Sequence, residues 1–164
     1  MRSFVKPHLL KFGLVALGAL LTVQTVQAQE PPATPEEALQ KAVAARQGLF
    51  EVIDFNAQQV MGMLKKVPMD GATLQKVGGR IENLAPMIPE IFATDTRKAA
   101  NVKTKAREAI WTNAADFKAK ADELVKAGQA MAAAGKGGDK TEMRKAIIGV
   151  GKACSGCHDN FRDK

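Results

Sequence analysis

Tyrosine is absent from this 164-residue chain, and one Trp with seven Phe makes the aromatic share only 5%. Sheets draw on aromatic and β-branched residues, whereas Ala, Lys, Gln, Glu and Met, plentiful here, favour helices; an all-β fold is excluded. Long apolar runs are also lacking. The longest, Phe12 to Val23, falls short of the roughly 20 residues that span a bilayer. With Arg2, Lys6 and Lys11 around its start and the small residues Val26 and Ala28 after it, residues 1–28 read as a cleaved export signal. The mature chain is then residues 29–164, one domain, expected in the periplasm without a stable membrane anchor.

An excess of one charge is lacking too, once that signal is set aside. The formal charge is +7 over the full chain, but without its three basic residues 21 Lys and Arg face 17 Asp and Glu. The basic residues are scattered and no groove-reading motif is present, which argues against a nucleic-acid partner. Cysteine and histidine are scarce as well. There are two of each, and cleavage at residue 28 removes His8, leaving His158 as the sole histidine beside Cys154 and Cys157.

What is present is helical periodicity. Thr34-Pro35-Glu36-Glu37 forms a capping box with Pro at the first helical position, and Leu39, Ala42, Leu49, Ile53, Val60 and Leu64 line one face of a helix expected to run to about Lys66. Arg46 falls on that seam where an apolar residue is due. Pro68 and Gly71 make a turn, and Leu74, Val77, Ile81, Leu84 and Ile88 define a second helix that Pro86 and Pro89 distort and end. A polar crossing over 91–103 leads to a third helix, expected from near Lys105 to Ala134 with Gly135 as its stop, on a stripe of Trp111, Ala114, Phe117, Ala121, Leu124, Gly128 and Met131. A second capping box, Asp139 to Glu142, opens a last helix striped by Met143, Ile147, Val150, Cys154, Cys157 and Phe161. Four helices, short outer turns and one longer crossing describe an all-α antiparallel four-helix bundle.

Cys154-Ser155-Gly156-Cys157-His158 is the pattern that attaches a c-type haem: two thiols form thioethers with the ring's vinyl groups and the adjacent imidazole binds iron. At about 100° per residue all three side chains share one arc, which coincides with the apolar stripe, so the ring would enter the bundle interior. Other readings fit less well. Zinc needs four ligands and finds two Cys, one His and only Asp159 nearby. A thiol–disulfide centre requires a βαβ setting that helical periodicity denies. A disulfide suits an oxidising compartment, but gives no reason for the sole histidine to follow the second cysteine.

A C-terminal motif of this kind on an exported four-helix chain resembles the cytochrome c-prime family, the class II c-type cytochromes. Ala45-Arg46-Gln47-Gly48, the segment Ile110 to Phe117 and Cys157-His158-Asp159-Asn160-Phe161-Arg162 carry the resemblance across the mature chain. It implies one haem c held by Cys154 and Cys157, His158 as iron ligand, Arg46 and Gln47 at the haem edge, Arg162 near the proximal face, and, on a looser match of Phe92 to Thr96, Thr96 as a further contact. It also implies a homodimer through the first two helices. Aligned from Arg46 and Gln47, Phe50 stands at the distal position, where methionine-ligated relatives carry Met. Phe cannot ligate iron. Two function classes follow: binding of small diatomic gases, NO or CO, at a five-coordinate iron, or electron transfer with periplasmic redox partners by a six-coordinate one. No proton-transfer constellation is visible, so no enzymatic activity is expected.

Overall fold

The computed structural model describes residues 34–65, 67–98, 100 and 102–164; the export signal expected over residues 1–28 lies outside them. Helix α1 (Pro35–Met61) opens on the expected capping box: the Glu37 amide donates to Thr34 Oγ1 at 3.2 Å, and the Thr34 amide donates to Glu37 Oε2 at 2.7 Å. It ends earlier than expected, passing into a single 3-10 turn over Gly62–Leu64. Helix α2 (Gly71–Leu84) is capped by Asp70, whose carboxylate accepts the Ala72 and Thr73 amides. A turn at Ala85 and Pro86 separates it from the short α3 (Met87–Ile91), where Pro89 is tolerated because the first turn requires few amide donors.

The third expected helix is two. Helix α4 (Ala109–Thr112) is separated from α5 (Ala114–Gly137) by Asn113 at φ −130°, ψ 53°. The break changes the phase of the stripe and leaves Ala114 exposed. Gly135 does not stop α5; the helix runs to Gly137, and Gly138 caps it at φ 76°, a conformation glycine adopts without strain. Helix α6 (Lys140–Phe161) starts at Asp139, which accepts the Glu142 amide at 2.8 Å. Among the described residues no helix is long and apolar enough to cross a membrane.

Helices α1, α2, α5 and α6 form the bundle, with α3 and α4 as short ends of the crossing. Val60, Leu74, Val77, Ile81, Met131, Ile147 and Val150 are fully buried at its centre. Packing is uneven around the ring. α2 and α5 approach most closely of all pairs, whereas α1 leans on α2 and nears α6 chiefly at the 3-10 turn. Glycines explain the first: a Cβ on Gly128 would lie 2.8 Å from the Glu82 nitrogen, and one on Gly71 or Gly135 would lie 2.5 Å from the other's carbonyl oxygen. A Cβ on Gly78 would strike the Ala132 backbone. These are backbone-to-backbone contacts, which only hydrogen at Cα permits.

Candidate haem site

Cys154, Cys157 and His158 project from the last turns of α6, all partly buried, and both cysteines are free thiols packed beside the core. Burial, helped by the Asp54 carboxylate on α1, raises the Cys154 pKa. Burial and the neighbouring Cys154 push the Cys157 thiol up to about 11. Both therefore stay protonated near neutral pH. Burial also lowers the His158 pKa, and the Arg162 guanidinium adds to this, its Nη1 lying 3.3 Å from His158 Nδ1, while Asp159 opposes it. The imidazole is thus held toward its neutral form, the form that ligates a metal.

Across from α6, Arg46 is 3% exposed and does not snorkel to solvent. Its Nε donates to the Ile91 carbonyl at 2.9 Å, Nη1 to Thr96 Oγ1 at 2.6 Å, and Nη2 to the Thr94 carbonyl. The guanidinium also lies 4.4 Å from the Phe92 ring centre and 5.5 Å from that of Trp111. Burial lowers its pKa. Its hydrogen-bond partners are all neutral, and the Asp95 carboxylate, which makes no hydrogen bond to it, offsets only part of the cost of burial. Thr96, 4% exposed, is brought to Arg46 by this bond, and the neighbouring Gln47 donates Nε2 to the Lys103 carbonyl at 3.1 Å.

Phe50, one turn after Arg46, is partly buried and meets Phe92 edge-on at 6.3 Å. Phe92 in turn contacts Phe117 at 5.1 Å, and Phe117 contacts Phe161 at 5.1 Å, so aromatic edges run from α1 to the haem-motif helix. The site residues thus fall into two groups. Cys154, Cys157 and His158 stand together on α6 with Arg162 at its C-terminal cap, and Arg46, Gln47, Phe50 and Thr96 gather where α1 meets the crossing. Sequence reasoning missed Phe92, the ring that joins Phe50, Trp111, Phe117 and Arg46, and it missed Arg107, described below.

Two protonated thiols and a neutral imidazole on one partly apolar arc form a donor set that fits a haem of the c type. Comparison with known proteins agrees. A family model described as Cytochrome C' matches residues 41–162. Cytochrome c' of Rubrivivax gelatinosus is 34% identical over 124 residues, 75% of this chain and 95% of that one. Its crystal structure superposes with a TM-score of 0.67 at 32% identity, covering 76% of this chain and 97% of that one. A nitric oxide complex of a variant cytochrome c prime from Alcaligenes xylosoxidans gives a TM-score of 0.67 at 27% identity over 77% of this chain and 97% of that one. By motif, fold and similarity alike, the chain belongs to the cytochrome c' family of c-type haem proteins.

Proposed function

We propose that the chain carries one haem, bound through thioethers at Cys154 and Cys157 with His158 as the iron ligand, and takes up NO or CO at an open sixth position. Bound there, the haem supplies an iron that accepts an axial ligand and changes between Fe(III) and Fe(II). The protein's residues set the surroundings. The observation that carries this reading is Phe50. Phe50 lies one turn beyond the buried Arg46, and its ring meets Phe92, which leads through Phe117 to Phe161 on the helix that carries Cys157 and His158. A phenyl ring offers iron no lone pair. An apolar neighbour without a hydrogen-bond donor disfavours bound O2 more than NO or CO. Met61 does not replace it: the methionine packs at Gly151, a turn before the motif, where a glycine Cβ would lie 3.8 Å from its Cε.

Arg46, a buried cation whose hydrogen-bond partners are neutral, supports a role in balancing haem propionate charge, with Thr96 and Gln47 beside it. Phe55 at 68% and Val52 at 48% exposure leave an apolar strip on α1, which supports a homodimer through that helix. The export signal supports a periplasmic location, and the single mature histidine supports a binding or redox role without catalysis. Optical spectra of the purified protein test the central reading. High-spin, five-coordinate iron is expected in the reduced state, with CO and NO each changing the spectrum. Phe50→Met should move it toward low-spin iron. A wild-type spectrum that is already low-spin, with a methionine-to-iron charge-transfer band, overturns gas binding and establishes the electron carrier instead.

A further inference from the structure

A helix leaves its last four carbonyls without intrahelical partners. In α6 these belong to His158, Asp159, Asn160 and Phe161. The His158 carbonyl accepts the Arg162 amide at 3.1 Å. The other three are all taken by one residue from the crossing. Arg107 Nη1 donates to the Asp159 and Asn160 carbonyls, each at 3.2 Å, and the Arg107 amide donates to the Phe161 carbonyl at 3.1 Å.

The grip is reinforced on both sides. Ala106 and Arg162 form an isolated antiparallel bridge, and the Asp163 amide donates to the Lys105 carbonyl at 2.9 Å. Arg107 Nε lies 3.6 Å from Asp163 Oδ1. A cation at a helix C-terminus is also favoured by the helix dipole. Arg107 and Asp163 line the same open cleft as His158 and Arg162. The turn that presents the imidazole is therefore anchored by a residue roughly fifty positions away as well as by its own helix.

We propose that Arg107 is a positioning residue for the axial histidine, fixing through three terminal carbonyls of α6 the turn from which His158 reaches the iron. The inference rests on the haem reading above. It separates Arg107 from Arg162: the first acts on the backbone under the imidazole, the second on the ring nitrogen itself. In variants the Arg107 amide bond to Phe161 persists, so the guanidinium contribution is what substitution removes.

The test uses the ferrous haem protein and the iron–histidine stretching band in its resonance Raman spectrum, together with the reduction potential and amide exchange. Arg107→Gln should broaden and shift the band, move the potential, and speed exchange of the Arg162 amide roughly tenfold through local opening of the last turn. Arg107→Lys, which keeps the charge and a donor, should restore band and potential part of the way. Faster exchange with band and potential unchanged would overturn the proposal, leaving Arg107 a merely structural cap. A wild-type protein with no iron–histidine band removes the haem reading itself, an outcome distinct from a wild-type band that Arg107→Gln leaves untouched.

Discussion

The seam between α2 and α5 and the end of the bundle where the crossing meets α1 and α6 are built on opposite plans. In the first, four glycines let two backbones touch; Gly71, Gly78, Gly128 and Gly135 each would carry a Cβ into the neighbouring main chain. In the second, long side chains reach to carbonyls across the crossing: Arg46 of α1 to Ile91 and Thr94, Gln47 of α1 to Lys103, and Arg107 of the crossing to Asp159 and Asn160 of α6. Direct backbone packing fixes a distance and admits nothing between. Arms with hydrogen bonds at their tips hold elements in place while leaving room for a large apolar group. The α2–α5 pair is thus fixed by its backbones, and the end where the crossing meets α1 and α6 is stitched by side chains.

Substitutions separate the two plans, and the largest effect belongs to the glycine seam. Gly78→Ala forces main chains apart and should cost about 3 kcal/mol in chemical denaturation. Gly79→Ala, one residue along and with nothing within 4 Å of its added carbon, should instead stabilise by about 0.5–1 kcal/mol. Equal effects at the two positions would erase the distinction.

At the stitched end, Arg46→Leu leaves the Ile91 and Thr94 carbonyls and the Thr96 hydroxyl without their donor and should cost about 2 kcal/mol. Its reduction potential should also move; an unchanged potential would separate Arg46 from the haem and confine it to the crossing. Phe50→Ala, at a site only partly buried, should cost about 1 kcal/mol while speeding carbon monoxide binding several-fold in flash photolysis. A slower rate would place Phe50 away from the ligand's path.

The smallest effect concerns pH. Hydrogen bonds from Thr34 hold the Glu37 carboxyl below its ordinary pKa, and that from Thr73 does the same for Asp70. Each folded-state pKa is depressed, so each cap contributes fully above the unfolded carboxyl pKa and is lost as pH falls through the folded value. Amide exchange followed downward from pH 5 should show the first turn of α1 opening before that of α2, whose Gly71 is pinned against Gly135. The reverse order would contradict a tighter α2–α5 side.

Much of this was legible from the chain. The Thr34 and Asp139 caps, the stripe positions from Leu49 to Phe161 other than Ala114, and the Cys154-to-His158 motif are local signals, because capping and periodicity are settled within a few residues. Arg46 was marked by its place on an apolar seam. What escaped depends on elements far apart in sequence. Gly135 reads as a helix stop until Gly71 is found against it, although glycine pairs spaced by seven, at 71 and 78 and at 128 and 135, were the available sign. The break at Asn113 carries no Pro or Gly to announce it. Arg107 reads as an exposed cation in the first turn of the expected third helix, which in fact begins only at Ala109, and the carbonyls that give it a role appear only when α6 ends beside it.

Trp111 is the sole indole in a chain without tyrosine. Its Nε1 donates to the Phe92 carbonyl at 2.9 Å, and the guanidiniums of Arg46 and Arg97 lie 5.5 and 5.9 Å from its ring. Ultraviolet emission from this protein therefore originates at one point, the junction of the crossing with α1. Its wavelength is a built-in gauge that registers Arg46 letting go without any attached dye, and its intensity, which a bound haem quenches, registers the distance from ring to haem.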